Sequence, residues 1–571
     1  MVTGAAPRKF LRNMNRRRIC SMQRGAAVIA HGMSGVELGR HLLLENLRMP
    51  AAPIRRLTVL GLLLGALPVL ACAGQATAQR MPVATVTATV DGLSLADIAW
   101  LRRDSFGLDS ATLASYRQLG RTRFLDEQLA GTDDTLPPQV AAQINALPVV
   151  NTPLPELLAD FRDSQQRYKK MPAGPDKDTA KKALQQYRRA LSQQAAQAEL
   201  LHAVYGGDQL KEQLVWFWLN HFSVYADKGP VRVFAANYEE QAIRPHALGK
   251  FKDLVMATLQ SPAMLVFLDN VHNVKGKTNE NYARELMELH TLGVGSGYTQ
   301  ADVQQLMRVL TGAGLLPPEL AMRPARFTRP GVVRDGLFVF NPARHDDGDK
   351  TFLGHTIKGS GYAEIGEAVD LIVRQPACAH FISQQLAEYF IDDHPSPALV
   401  DAMAQTFQDS DGDIAAVMRT MMLSKDASAL NGRKFKDPMR FVVSAMRLAY
   451  DGRPIPNAEP LQKWLQQMGE PMYGRITPDG WPLDSASWTG SGQLSKRFDF
   501  ARVIGSGRNR LFADAGSGPA AHDTPDLQDS ALYRDAIEPR LSDATRDALA
   551  KAKSPAEWNT FLLSSPDFNY R

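Results

Sequence analysis

The chain has 571 residues, 44% of them apolar and 22% charged, with 35 prolines and 42 glycines. That composition supplies a sizeable core and two or three packed units, and excludes wholesale disorder and a fibrous repeat. The formal charge of +5 is unevenly placed. Eleven of the 65 basic residues and two of the 60 acidic ones lie in 1–78, leaving 54 against 58 in the remainder, so the body is mildly acidic and a nucleic-acid partner loses its electrostatic basis.

Arg55 and Arg56 precede an apolar run over 57–73, and Ala76-Thr77-Ala78 follows. A basic start, an apolar middle and a small-residue cleavage site predict a secretory signal peptide over 49–78. Pro68 interrupts the run, which is too short for a membrane span of about 20 residues, so no span is expected once the signal is cleaved. A lipoprotein acylated at Cys72 is the lesser alternative, because Val69-Leu70-Ala71 fits the usual lipobox poorly. Met49 stands just ahead of the signal, which makes 1–48 a mis-called start or an unstructured leader. The expected location is the periplasm or the exterior, by the general or the twin-arginine route. Of Cys20, Cys72 and Cys378, only the last survives cleavage after Ala78. The mature chain therefore has no internal disulfide and no zinc site built on two cysteines.

From residue 93 to 448, apolar residues recur every three or four positions, the helical period. The chain reads as mainly α: a multi-helix domain over 79–512 with a small β-hairpin insertion around 325–358. Helices are expected at 95–107 and 110–130. Residues 162–202, polar and broken at Pro172-Ala173-Gly174-Pro175, read as a charged, solvated helical arm. The run Leu214-Val215-Trp216-Phe217-Trp218-Leu219 is apolar all round, so 210–225 is a buried helix. Two helices occupy 235–270, and another spans 279–292 with Gly293 as its left-handed cap. Thr299 and Asp302 form a capping box for the next, which ends at Gly312. Asp335-Gly336 signals a hairpin, with short strands at 337–340 and 351–353. Helices resume at 363–392 and 399–423. Residues 450–520 are rich in Gly, Pro and Trp and read as loop. A flexible stretch begins near 513, and C-terminal helices follow to 571.

The string NENYARELMELHTLGV at 279–294, followed by Gly297-Tyr298-Thr299-Gln300, is long and distinctive. So are Trp218-Leu219-Asn220-His221-Phe222, Ala242-Ile243-Arg244-Pro245-His246, Ser261-Pro262-Ala263-Met264, His345-Asp346, Gly480-Trp481-Pro482 and the terminal Ser564-Ser565-Pro566-Asp567-Phe568. In this order they resemble the bacterial family called domain of unknown function 1800, across nearly the whole chain beyond residue 78. The resemblance implies an exported helical protein and no assigned activity. It also implies gene neighbours related to the alkaline phosphatase and sulfatase group, and hence a shared envelope process. The family commonly carries a second histidine where this chain has Leu219, so a metal site needing that histidine is in doubt here.

At about 100° per residue, Asn281, Arg284, Glu285 and Glu288 share one face of the 279–292 helix. Glu285 and Glu288 could bind a cation jointly or work as acid and base, while Glu280 and Asn281 at the helix start would bind a ligand or, in Glu280's case, simply favour the helix dipole. The bland alternative is a solvated face with Arg284–Glu288 paired at i, i+4. Recurrence of the string as a family motif favours a function. His290 falls opposite, on the apolar face, and reads as a core histidine. His221 lies in an aromatic stripe, as a satisfied core residue or as a base or ligand. Arg244 and His246 would supply a cation for an anionic group and an imidazole. His345 and Asp346 sit on a loop that could complete a divalent-metal site across from the helix. Together these residues predict a buried His/Glu/Arg site, hydrolase-like and metal-assisted. The alternative is a non-catalytic envelope module that assembles with an exported partner. A third reading is a glycan surface using Trp464, Tyr473, Trp481 and Trp488. His-Glu-x-x-His, Gly-x-Ser-x-Gly, a P-loop and a dinucleotide fingerprint are all missing.

Overall fold

The computed structural model describes residues 89–90, 93–324, 329–430, 434–513 and 524–571. The expected leader and signal peptide, Cys20, Cys72 and most of the stretch beginning near 513 lie outside them. Among the described residues no helix is long and apolar enough to cross a membrane.

The fold is mainly α with a few short strands. Helix α1 (Leu95–Asp104) opens on a capping box in which Ser94 and Asp97 satisfy each other's backbone N–H groups. In α2 (Ser110–Ala130), Gly120 breaks the helical path at φ 72°. The charged arm is two helices, α3 (Leu154–Lys170) and α4 (Pro175–Tyr205). Its outer part is largely exposed, as its polarity suggests. The stretch from Leu191 to Tyr205 turns inward and buries Ala195, Ala198, Leu200, Leu201 and Glu199, because its Ala- and Leu-rich face matches the core.

Helix α5 (Gln209–His221) is buried along nearly its whole length. Trp218 donates its indole N–H to the Ala247 carbonyl at 3.0 Å, which satisfies the one polar atom of a side chain that is otherwise core. Each aromatic of this helix contributes about 1.5–3 kcal/mol by leaving water. Helix α6 (Val231–Asn237) runs into a π-helical turn, Tyr238–Ile243. Helices α7 (Phe251–Gln260) and α8 (Asn281–Glu288) follow, then α9 (Gln300–Val309) with the expected Thr299/Asp302 capping box.

The β insertion is a three-stranded antiparallel sheet. Strand β1 (Ala313–Leu315) pairs with β3 (Phe338–Phe340), which pairs with β2 (Val333–Asp335) across the turn at Gly336. A separate ribbon joins β4 (Lys350–Phe352) to β5 (His355–Ile357). Helices α10 (Ala363–Val373), α11 (Pro376–Phe390), α12 (Pro397–Asp409), α13 (Ile414–Met422) and α14 (Pro438–Tyr450) complete the central core. Asp413 caps α13 through the Ala416 N–H, the role its place before an apolar run suggests. The stretch 450–520 is not all loop. It holds α15 (Glu459–Gln467), an amphipathic helix that buries Leu461 and Leu465, and α16 (Ser491–Gly505), which buries Phe500, Ala501 and Ile504 but leaves Leu494 and Phe498 exposed.

A cleft at the end of the buried helix

Four separated segments meet at the C-terminal end of α5. The first is α5 itself. His221 is 9% exposed. Phe217 stacks near its ring at 5.9 Å, and Trp218, Phe222 and Phe381 stand around it. Its Nε2 lies 2.9 Å from the His290 carbonyl. A carbonyl only accepts, so Nε2 carries the proton and Nδ1 keeps its lone pair. Nδ1 has no partner among the described residues. Burial holds the imidazole pKa down to about 4, opposed in part by the bond to His290. His221 is therefore expected to stay neutral from pH 8 down to about 5, as the Nε2–H tautomer. Nitrogen-15 NMR of the ring checks this, and an imidazolium signal at pH 6 would contradict it.

The second segment is α8 and the turn after it. Past Glu288 the helix widens: the His290 and Leu292 N–H groups bond back five residues, to the Glu285 and Met287 carbonyls. It ends at Gly293, φ 82°, where a Cβ would lie 2.9 Å from the Phe381 ring. His290 is fully buried beside His221, ring centroids 6.0 Å apart. Burial and the neighbouring His221 take its pKa to about 3.

On the outer face of α8, Arg284 bonds Glu288 at 2.8 Å, Glu280 at 2.9 Å and Gln300 at 2.6 Å. Gln300 closes the ring back onto Glu280. These half-exposed pairs are worth about 0.3–0.5 kcal/mol each. The arrangement engages Arg284 fully, so it does not stand ready for an anionic ligand. Asn281 ties the helix start to the Leu268 carbonyl and to Asn279. Glu285 is half-buried, and its carboxyl pKa is raised by burial and then by the charge of Glu288, with Asp479 adding to it.

The third segment is the loop 471–483. The side-chain amide of Asn220 donates to the Trp481 carbonyl at 2.9 Å and accepts from the Trp481 N–H at 2.6 Å. Gly480 sits at φ 71° with its Cα so close that a Cβ would fall 2.3 Å from the Asn220 carbonyl oxygen. Asp479 accepts from Arg475 and Thr477, and Arg475 lies 5.5 Å from the Trp481 ring centre. The fourth segment is α11, which contributes Phe381 and Gln385. The four enclose a cavity of about 300 Å³ lined by Phe217, Asn220, His221, Glu288, Leu289, Val294, Phe381, Gln385, Asp479, Trp481 and Leu483.

His221 and Glu288 thus share this cleft, with Glu285 in electrostatic reach. The other expected residues lie elsewhere. His345 is buried with Nδ1 2.8 Å from the Thr311 carbonyl and Nε2 3.0 Å from Glu364. The same Glu364 holds the buried Lys350 ammonium. Asp346 is clamped by Arg308 through two bonds of 2.9 Å. A cationic side chain already stands against each carboxylate there, so His345 and Asp346 do not fit a metal. Among the described residues no three His, Cys, Asp or Glu groups gather in a way that could hold one.

Arg244 is buried in a second cluster. Its guanidinium bonds Glu212 at 2.7 and 2.8 Å, Glu239 at 2.8 Å and Glu199 at 3.0 Å, with Glu240 at 3.5 Å. The π-helical turn aims Glu239 and Glu240 at it. Four carboxyls around one cation cannot all ionise cheaply. Burial, then the charge of Glu239, pushes Glu199 well above the usual carboxylate range, and Glu240 rises to about 7. Burial takes nearby His202 down to about 3. His246 is half-buried, its pKa lowered by burial, and joins neither cluster. Tyr473 donates to Glu239 at 2.9 Å, linking this cluster to the loop that carries Trp481.

Of the aromatics considered for a glycan surface, Trp464 packs against Phe500 and Trp488 is buried with its N–H on Pro482. Only Trp481 lines the cleft. Sequence reasoning missed Asp479, which stands directly before the noted Gly480-Trp481-Pro482, and Gln385, which carries no local signal. It also missed the four glutamates around Arg244.

A family described as "Protein of unknown function (DUF1800)" matches residues 99–570. No curated protein matches, and no solved structure does.

Proposed function

We propose, for a chain that belongs to the DUF1800 family, that it is an exported protein whose cleft binds a small ligand and performs acid–base hydrolysis on it. The observation that carries this is the convergence of His221, Glu288, Gln385, Asp479 and Trp481, from distant segments, on one cavity with an unused imidazole lone pair. Glu288, ion-paired with Arg284, is the base. Glu285, its carboxyl pKa raised by burial and by the charge of Glu288, is the neighbouring acid. His221 Nδ1 fixes a ligand proton in place. The expected signal peptide supports an envelope or extracellular setting.

The test is turnover of a panel of nitrophenyl esters, glycosides and anilides by the purified protein. At least one class is expected to be hydrolysed, with a loss of about 10²–10⁴ in rate for Glu285→Gln or Glu288→Gln at unchanged melting temperature. No turnover of any class, or unchanged rates in both variants, would overturn the enzymatic reading. Export is checked by mass spectrometry of the chain recovered outside the cytoplasm, whose first residue is expected to be Gln79. A partner-binding reading draws on Val294, a cleft residue left 79% exposed, where a protein partner could sit over the opening.

A further inference from the structure

The chemistry of the cleft lining is one-sided. Its two carboxyl side chains are Glu288 and Asp479, and no lysine or arginine lines it. Three guanidiniums around the site are engaged: Arg284 by Glu280, Glu288 and Gln300, Arg475 by Asp479, and Arg244 by its four glutamates. The amide of Asn220 is paired on both sides with Trp481. The side-chain donors left for a ligand are the Gln385 amide and the Trp481 indole N–H, neither with a hydrogen-bond partner among the described residues.

Acceptors are plentiful. His221 is nine-tenths buried, lines the cavity and leaves Nδ1 without a partner. Each oxygen of Glu288 has room for further donors beyond Arg284 and the Tyr298 hydroxyl beside it. Trp481, which already carries Arg475 near its ring, and Phe381 supply faces that attract a cation.

We infer that the cleft takes a primary ammonium on a short apolar stem, its N–H groups given to His221 Nδ1 and Glu288 and its stem laid along Leu289, Phe381 and Trp481. A free amine and a lysine side chain share this chemistry. An anionic ligand would meet two carboxylates whose counter-ions, Arg284 and Arg475, are already spent on them and do not line the cavity. This inference rests on the cleft reading above and adds the ligand's charge to it.

The experiment titrates the full chain with n-butylammonium, Nα-acetyl-lysine amide, butyrate and glucose. It is run in 0.3 M salt to suppress loose ion pairing, with readout by tryptophan fluorescence and the His221 Nδ1 resonance. Saturable binding of one or both amines is expected, with a shift of the Nδ1 signal and an affinity about tenfold weaker in Glu288→Gln. Binding of both amines points to the ammonium alone, and binding of the lysine derivative only points to a peptide source. The Nδ1 shift is read in the unmutated protein, so the inference stays testable if Glu288→Gln folds poorly. Saturable binding of butyrate or glucose with none of either amine would overturn the inference while leaving the cleft reading intact. Silence of all four at both reporters would overturn both.

Discussion

Replacing Arg244 with methionine is expected to lower folding stability by about 3–5 kcal/mol, and by more at pH 8 than at pH 5. The guanidinium is nearly inaccessible and is the shared counter-ion of Glu199, Glu212, Glu239 and Glu240. Without it the carboxyls must take up protons to stay buried. The direction with pH follows from linkage. A carboxyl whose pKa is raised on folding contributes stability that is full below its unfolded value, near 4.5, and is lost as pH climbs through the folded value. Glu240 already sits at about 7 and Glu199 well above its ordinary value, and removal of the cation pushes both further up. Urea denaturation of the variant and its parent at the two pH values measures the difference. An equal loss at pH 5 and pH 8 would show that the cluster has no uncompensated charge to relieve.

Gly480→Ala is expected to cost about 1–3 kcal/mol and to abolish binding in the cleft. The new methyl would fall 2.3 Å from the Asn220 carbonyl and 2.9 Å from its side-chain oxygen, on a residue at φ 71°. Backbone cannot yield there without breaking the pair of hydrogen bonds between Asn220 and Trp481. The loop should lift while the core behind it remains, so hydrogen exchange is expected to rise over 471–483 and stay unchanged in α5. Gly366→Ala is the control. It lies inside α10, meets nothing within 4 Å, and should stabilise by about 1 kcal/mol. Equal behaviour of the two variants would remove the special role given to Gly480.

Much of the fold was legible because it is written locally. Apolar spacing marked the helices, Thr299 and Asp302 marked a start, Gly293 an end, and Asp335-Gly336 a turn. The outer face of α8 was legible too, since Arg284 and Glu288 sit one turn apart and pair as the spacing allows. His290 was harder. A fixed 100° step sets it opposite the carboxylates. The widened turn then frees its carbonyl for His221, a backbone change that no side-chain pattern announces. Distant pairings were not legible at all. Glu199 looked like part of a solvated arm until α4 turned inward, and His345 faced Glu364 rather than α8. Helices α15 and α16 were hidden because the Gly, Pro and Trp content of the stretch outweighed the few apolar residues each buries.

The bond between Asn220 and Trp481 spans 261 residues of chain. Its consequence lies in time. A chain growing from its first residue makes His221 early, then α8, then α11, and none of these can close the site until residue 481 arrives, with ninety residues still to follow to residue 571. Contacts of such separation form late, after nearby helices have condensed. Until then the unpaired imidazole and the half-buried carboxyls stand open to water, their chemistry not yet assembled.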